Sequence, residues 1–347
     1  MPTAERLLIR TDASPTIGAG HVMRCLALAQ QWRIEGRRVT FACSELPAVF
    51  VDRLRSEGCK VVIFDAEAGS PDDAATTLKL AHDLDAVVVA DGYRFSVDYQ
   101  RAVYGKARAL LVFDDFGQIG AYQADLILDQ NLGTSEDIYV DRPPNCMLLL
   151  GPEYVMLRRE FLDTAQNRSE VSPAVCNVLV TTGGADVGGF AIRILDVLEE
   201  IPEPLNITVV VGGASSGTGP IEVRARNSHH RVRSIENAAN MAQLMAEADL
   251  AVSTAGSTVW ELAYLGVPAV IGVVAENQRL GAAALERSGA AVAFDGMTTS
   301  AAEELRQVIR LVCGDQPRRS AMIKASQGMI DGMGAARVVS TVIGNLV

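Results

Sequence analysis

The sequence predicts an α/β protein of two doubly wound, Rossmann-like domains facing a central cleft, and three observations predict it. Short apolar runs alternate with helical stretches along the chain, the pattern of a parallel sheet covered by helices on both faces. The series restarts after a polar stretch near the middle. Each half also opens on a strand that runs into glycines, Gly18-Ala19-Gly20 in the first and Gly183-Gly184 in the second.

The elements follow in order. Strand-like runs fall at Leu7–Ile9, Val39–Cys43, Val61–Phe64, Ala86–Ala90, Ala109–Phe113, Leu126–Leu128 and Met147–Leu150. A second series covers Val178–Thr181, Ile207–Val211, Arg231–Val232, Leu250–Val252, Ala269–Ile271 and Ala291–Phe294, and closes on helical segments. The boundaries expected from this are an N-terminal domain over 1–160, a linker over 161–174 and a C-terminal domain over 175–347. At 347 residues the chain is long enough for both to have cores of their own.

Charge and cysteine usage narrow the function classes. With 42 acidic against 31 basic residues the net charge is −11, and no dense Lys/Arg run interrupts it, so a nucleic-acid partner is not expected. The six cysteines are scattered without a Cys-x-x-Cys pair, which reads as small buried hydrophobes in a reducing compartment rather than a zinc site. No run approaches the ~20 apolar residues that cross a bilayer. A cytoplasmic protein without membrane insertion is the expectation, and no metal or cofactor is predicted.

Chemistry is expected first at His21. Val22, Leu26 and Ala29 recur at helical spacing after the glycines, with no Gly or Pro until Gly36, so His21 falls at the first helical turn. There free backbone N–H groups and the dipole favour an anion, and Gly18 and Gly20 let it approach the main chain. The histidine could instead simply cap the helix. The dinucleotide fingerprint fits poorly because its third glycine would fall at Met23, and the phosphate-loop signature fails at Gly20-His21-Val22.

In the second half, the small residues Ser253 to Thr258, with Ser257 and Thr258 at their end, follow a strand and precede a helix, again offering backbone donors to phosphate oxygens. Glu261, one turn into that helix, can accept from two vicinal hydroxyls or merely complement the dipole. Glu276, Asn277 and Gln278 follow the next strand and suit a hydroxyl- or acetamido-rich ligand, or brace their own loop. Asp91, Tyr93, Asp114 and Asp115 stand just beyond strands of the first half; for Asp114 and Asp115 a capping or turn-bracing role is at least as good an account. His82, His229 and His230 lack comparable settings and read as solvated rather than as metal ligands.

Taken together, Arg10-Thr11-Asp12 with Gly18-Ala19-Gly20-His21 and Arg24, then Asp91-Gly92-Tyr93, Phe113-Asp114-Asp115, Gly151 to Arg158, Gly183-Gly184-x-Asp186, Ser253 to Glu261 and Glu276 to Gln278, resemble in order the UDP-sugar hydrolases of the pseudaminic acid pathway (PseG) and the related spore-coat protein SpsG. The resemblance spans nearly the whole chain. It implies a GT-B fold like that of the MurG glycosyltransferase, and release of UDP from UDP-2,4-diacetamido-2,4,6-trideoxy-β-L-altropyranose in nonulosonate biosynthesis. It also implies His21 as the base, with Tyr93 and Asn277 at the substrate. The substrate-binding set expected is Asp12, Gly18, Gly20, Arg24, Asp91, Tyr93, Gly184, Ser257, Thr258, Glu261, Asn277 and Gln278. Some relatives carry a histidine where this chain has Gly92. Competing readings are a glycosyltransferase with a UDP-sugar donor and a non-catalytic nucleotide-sugar-binding protein.

Overall fold

The computed structural model describes residues 6–164, 171–183, 186, 189–212, 217–298 and 300–345. Two compact units emerge, each built on one parallel sheet.

The first unit carries seven strands: β1 (Arg6–Thr11), β2 (Arg38–Cys43), β3 (Lys60–Ile63), β4 (Val87–Asp91), β5 (Leu110–Phe113), β6 (Leu126–Asp129) and β7 (Met147–Leu150). Their order is β3-β2-β1-β4-β5-β6-β7, so the winding reverses between β1 and β4. Leu7, Leu8 and Ile9 of β1 and residues 87–90 of β4 are unbroken apolar runs, as strands covered on two faces tend to be. Helix α1 (Gly20–Ile34) follows β1 and is buried on most of its surface, from His21 and Val22 to Trp32, because small residues such as Ala27 and Ala29 let it lie close to its neighbours. Ser70 caps α3 (Pro71–Leu84) by accepting from Asp73 N, with Pro71 at the first turn. The core on one face joins Leu8, Val88, Ala90, Val112 and Ile127 with Phe95, Tyr99, Tyr122 and Tyr139.

The second unit has six strands: β8 (Asn177–Thr181), β9 (Asn206–Val211), β10 (Arg231–Glu236), β11 (Leu250–Thr254), β12 (Ala269–Val273) and β13 (Ala291–Asp295). They run β10-β9-β8-β11-β12-β13, reversing between β8 and β11. Its core gathers Val178, Val180, Val209, Val252 and Val270 against Phe190, Ile194 and Leu198 of α6 (Phe190–Leu198) and Leu305, Ile309 and Val312 of α11 (Ala301–Gly314). A Cβ at Gly272 would meet the Phe190 ring at 2.4 Å and the Phe294 ring at 2.7 Å, so glycine lets those stacked rings lie on β12.

All thirteen expected strands are present, seven and six, within a few residues of their expected ends. The domain boundary differs at the C-terminus. The segment from Gly332 clusters with the first unit, where α13 (Gly334–Asn345) buries Ala335, Val338, Val339 and Val342. Glycine at 334 permits this: a Cβ there would lie 2.3 Å from the Val155 carbonyl oxygen, and Arg337 Nη1 donates to Glu153 O at 2.8 Å. The chain passes between units at Arg159 and Glu160, inside the short helix α5 (Arg159–Leu162), and Gly18–Gly20 group with the second unit.

Candidate active site

In doubly wound sheets, ligands bind beyond the carboxyl ends of the strands where the winding reverses. In the first unit that point lies between β1 and β4, whose register pairs Thr11 with Asp91. Helix α1 begins beside it, placing His21 at its second residue and Arg24 one turn on.

His21 Nδ1 lies 2.7 Å from Asp91 Oδ1. Arg24 clamps the same carboxylate from Nε to Oδ2 and from Nη2 to Oδ1, both at 2.7 Å, and reaches Asp115 from Nη1 at 2.9 and 3.1 Å. Cys25 adds a thiol donor to Asp91 Oδ2 at 3.3 Å. Burial alone would raise the Asp91 pKa, but Arg24 and His21 outweigh it and hold Asp91 well below the ordinary carboxylate value. Asp115 is lowered likewise, burial being outweighed chiefly by Arg24, and Arg24 is raised well above its ordinary value by Asp115 and Asp91 against its own burial. Asp91 is therefore an acceptor only.

That fixes the tautomer. Facing an ionised carboxylate, Nδ1 carries the proton, and although Arg24 Nη2 is 3.2 Å from the same nitrogen, its shorter bond, at 2.7 Å, goes to Asp91 Oδ1. The polar atom left to accept on a neutral His21 is Nε2. The Arg24 charge is met by two carboxylates. Tyr93 stands over the imidazole edge-on, ring centroids 4.8 Å apart, and donates to Asp115 Oδ2 at 3.1 Å; the phenol is half exposed.

Not every expected residue joins this cluster. Asp12 Oδ1 accepts from Ser44 N at 2.7 Å and Glu45 N at 3.0 Å, while Oδ2 pairs with buried Arg10 at 2.7 Å, so it braces the loop after β2. Arg10 is further held by a two-pronged pair to Asp73 at 2.8 and 2.9 Å. Asp91 is fully buried and serves His21 and Arg24 rather than offering itself to a ligand. Sequence reasoning set Asp115 behind its neighbours and missed Asp129 and Asn131, although they repeat the pattern of acids and amides just beyond a strand. Asn131 Nδ2 donates to Asp115 Oδ1 at 2.8 Å and Asp129 Oδ1 at 2.7 Å.

In the second unit the reversal between β8 and β11 pairs Thr181 with Ser253. Gly183 takes a left-handed φ of 74° just beyond β8; Gly184 lies outside the described residues. The half-buried Gly256, Ser257 and Thr258 lead into α9 (Thr258–Tyr264), with Glu261 one turn inside. Asn277 is exposed in the turn Glu276–Gln278. Gln278 accepts from Val274 N at 3.0 Å, and Glu276 pairs with Arg279, so this loop is braced by its own side chains. Thr182 holds a buried hydroxyl with no partner among the described residues.

Among the described residues one cluster, Glu199, His229 and His230, has metal-ligand spacing. Its ring nitrogens are already partnered: His229 by Glu199 at 2.6 Å and Ile201 O at 3.0 Å, His230 by Leu198 O at 2.8 Å and Leu205 N at 3.3 Å. The cluster closes the end of α6. His230 is buried, against the expectation that it is solvated.

The model of the glycosyltransferase family 28 C-terminal domain matches residues 177–338. Superposed on MurG from Acinetobacter baumannii, the structure gives a TM-score of 0.65 at 19% identity, covering 98% of this chain and 99% of that one. The chain has a GT-B fold. It is 25% identical over 282 residues to protein MJ1062 of Methanocaldococcus jannaschii, covering 79% of this chain and 57% of that protein, little more than half its length. To a Campylobacter jejuni protein named UDP-2,4-diacetamido-2,4,6-trideoxy-β-L-altropyranose hydrolase it is 24% identical over 262 residues, 75% of this chain and 88% of the other. Among the described residues no helix is long and apolar enough to cross a membrane.

Proposed function

We propose that the protein hydrolyses a UDP-sugar, with His21 as general base and UDP held by the glycine and small-residue loops of the second unit. The observation that carries this reading is the His21–Asp91 pair, which leaves Nε2 as proton acceptor at the start of α1. Nε2 takes a proton from water as its oxygen attacks the anomeric carbon; the bond from that carbon to the diphosphate oxygen breaks, UDP leaves with the electron pair, and configuration inverts. Asp91 stabilises the imidazolium that forms. UDP is a good leaving group, so backbone donors serve its departure better than a general acid would.

The Campylobacter relative's name supports UDP-2,4-diacetamido-2,4,6-trideoxy-β-L-altropyranose as the substrate and a place in nonulosonate biosynthesis. Tyr93 and Asn277 are the proposed sugar contacts, with Ser257, Thr258 and Glu261 on the nucleotide. The family 28 match favours a second reading, transfer of the sugar to an acceptor hydroxyl. Incubation with a panel of UDP-sugars and no acceptor separates the two: a hydrolase releases UDP and free sugar, whereas a strict transferase leaves the donor intact. His21→Asn should lower turnover about 10²- to 10⁴-fold with UDP affinity nearly unchanged. In labelled water the label should enter the sugar; label in UDP would refute attack at carbon.

A further inference from the structure

Behind the His21 cluster lies a second set of buried acids. Asp114 follows β5, Asp129 ends β6, and the Tyr139 hydroxyl sits between them, 2.9 Å from Asp114 Oδ2 and 2.7 Å from Asp129 Oδ2. All three side chains are buried. A phenol has one hydrogen and two ionised carboxylates have none, so the three groups need one further proton between them. Asp129 Oδ2 also accepts from Phe116 N at 2.9 Å, and its Oδ1 from Asn131 N and Nδ2, so both its oxygens already accept from N–H donors. Gly117 N donates to Asp114 Oδ2 at 2.6 Å and, with the phenols of Tyr122 and Tyr139, favours the charged form, but burial and the neighbouring charge of Asp115 outweigh them. The extra proton therefore belongs to Asp114, which donates to the Tyr139 oxygen while Tyr139 donates to Asp129.

We propose that Asp114, Tyr139, Asp129 and Asn131 form a buried positioning relay for His21, in which one proton held between the two acids through the Tyr139 hydroxyl fixes Asn131 and the Asp115–Arg24–Asp91 chain behind the base. Each link is a hydrogen bond: Asp129 to Asn131, Asn131 to Asp115, Asp115 to Arg24, Arg24 to Asp91, Asp91 to His21. Burial and the Asp115 charge push the Asp114 carboxyl up to about 6. Below that pH the shared proton is in place. Above it two carboxylates face one hydroxyl hydrogen, and the wing that holds Asn131 loosens. For stability the sign is the reverse of an ordinary acid's: the folded state binds the extra proton between about pH 4 and 6, so this group's contribution falls as pH rises through that window and is flat above it.

The relay rests on His21 being the base, but its test needs no substrate. The sequence has four histidines, so histidine-only isotopic labelling with His21→Asn for assignment isolates the ring in the full chain. The wild-type His21 resonances should show the Nδ1–H tautomer and an additional inflection where Asp114 titrates. Asp114→Asn, which stays neutral and can still donate to Tyr139, should abolish that inflection and keep the tautomer. Tyr139→Phe removes the hydroxyl that links Asp114 to Asp129 and should likewise abolish the inflection at His21. Curves for both variants superimposable on wild type overturn the relay, as does an Nε2–H tautomer in the wild type. A chain with coupled titration and no UDP release would instead sink the hydrolase reading alone.

Discussion

Where the first sheet reverses, His21, Arg24 and Asp91 are buried with Asp115 at their edge, Arg24 paired with both acids and His21 hydrogen-bonded to Asp91; where the second reverses, Thr181, Thr182, Ser253 and Thr254 are buried and neutral. The topology is the same and the chemistry opposite. Burying a charge is costly unless it is paired, and here Arg24 is met by Asp91 and Asp115 while His21 shares the Asp91 carboxylate. Small neutral residues cost little and expose main-chain donors, which suits holding an anion. Under the proposed function, the charged end is the one suited to proton transfer and the neutral end the one suited to binding.

The largest effect should come from breaking the charged end. Asp91→Ala leaves Arg24 and His21 without their shared partner in a fully buried place, and removing one member of a buried pair typically costs about 3–5 kcal/mol. Denaturant unfolding should show that loss in the first unit, together with loss of UDP release. Acid reaches the same pair by titration. Because the Asp91 pKa is depressed by Arg24 and His21 despite burial, its contribution is present above the ordinary value of 3.8 and is lost as pH falls below it. Ser253→Ala at the second sheet should cost only about 0.5–1.5 kcal/mol, since its hydroxyl makes a single bond, to Thr254 O.

This asymmetry also explains what could be read in the sequence. The strands were legible because parallel strands buried on both faces are unbroken apolar runs, as at Val87–Ala90 and Leu250–Val252. His21 was legible because glycines precede it and a helical period follows. The partners of His21 were harder to read, since Asp91, Asp115, Asp129 and Asn131 are spread over β4, β5 and β6 and meet only through strand order. From sequence, Asp12 and Asp91 are both expected at the substrate; only the fold turns one, just beyond β1, to Ser44 and the other, at the end of β4, to His21. The return of α13 to the first unit had no local signal beyond Gly334, whose small size matters only against the Val155 carbonyl.

A middle-sized effect should follow at the neutral end from backbone geometry alone. Gly183 holds φ at 74° with open space beside it, the nearest atom to an added Cβ being Thr254 Oγ1 at 3.7 Å. Gly183→Ala therefore meets no clash but the left-handed penalty of about 1–2 kcal/mol. If this loop grips UDP through main-chain donors, the variant should raise KM for the UDP-sugar and leave the pH profile of kcat where it was. A shifted profile would mean that the second unit takes part in proton transfer.

The smallest effect distinguishes two roles for one amide. Gln278 Oε1 accepts from Val274 N at 3.0 Å, so Gln278→Ala should cost about 1 kcal/mol of stability by leaving that N–H without its side-chain partner. Gln278→Glu keeps an acceptor at the same reach and should recover most of the loss, while bringing a negative charge toward whatever the loop meets. If Gln278 only braces its loop, both variants hydrolyse UDP-sugar with KM within about twofold of wild type, a difference of about 0.4 kcal/mol. A carboxylate that raises KM tenfold while restoring stability places residue 278 against the anionic ligand, and the neutral end would then include this loop as well as the turn before α9.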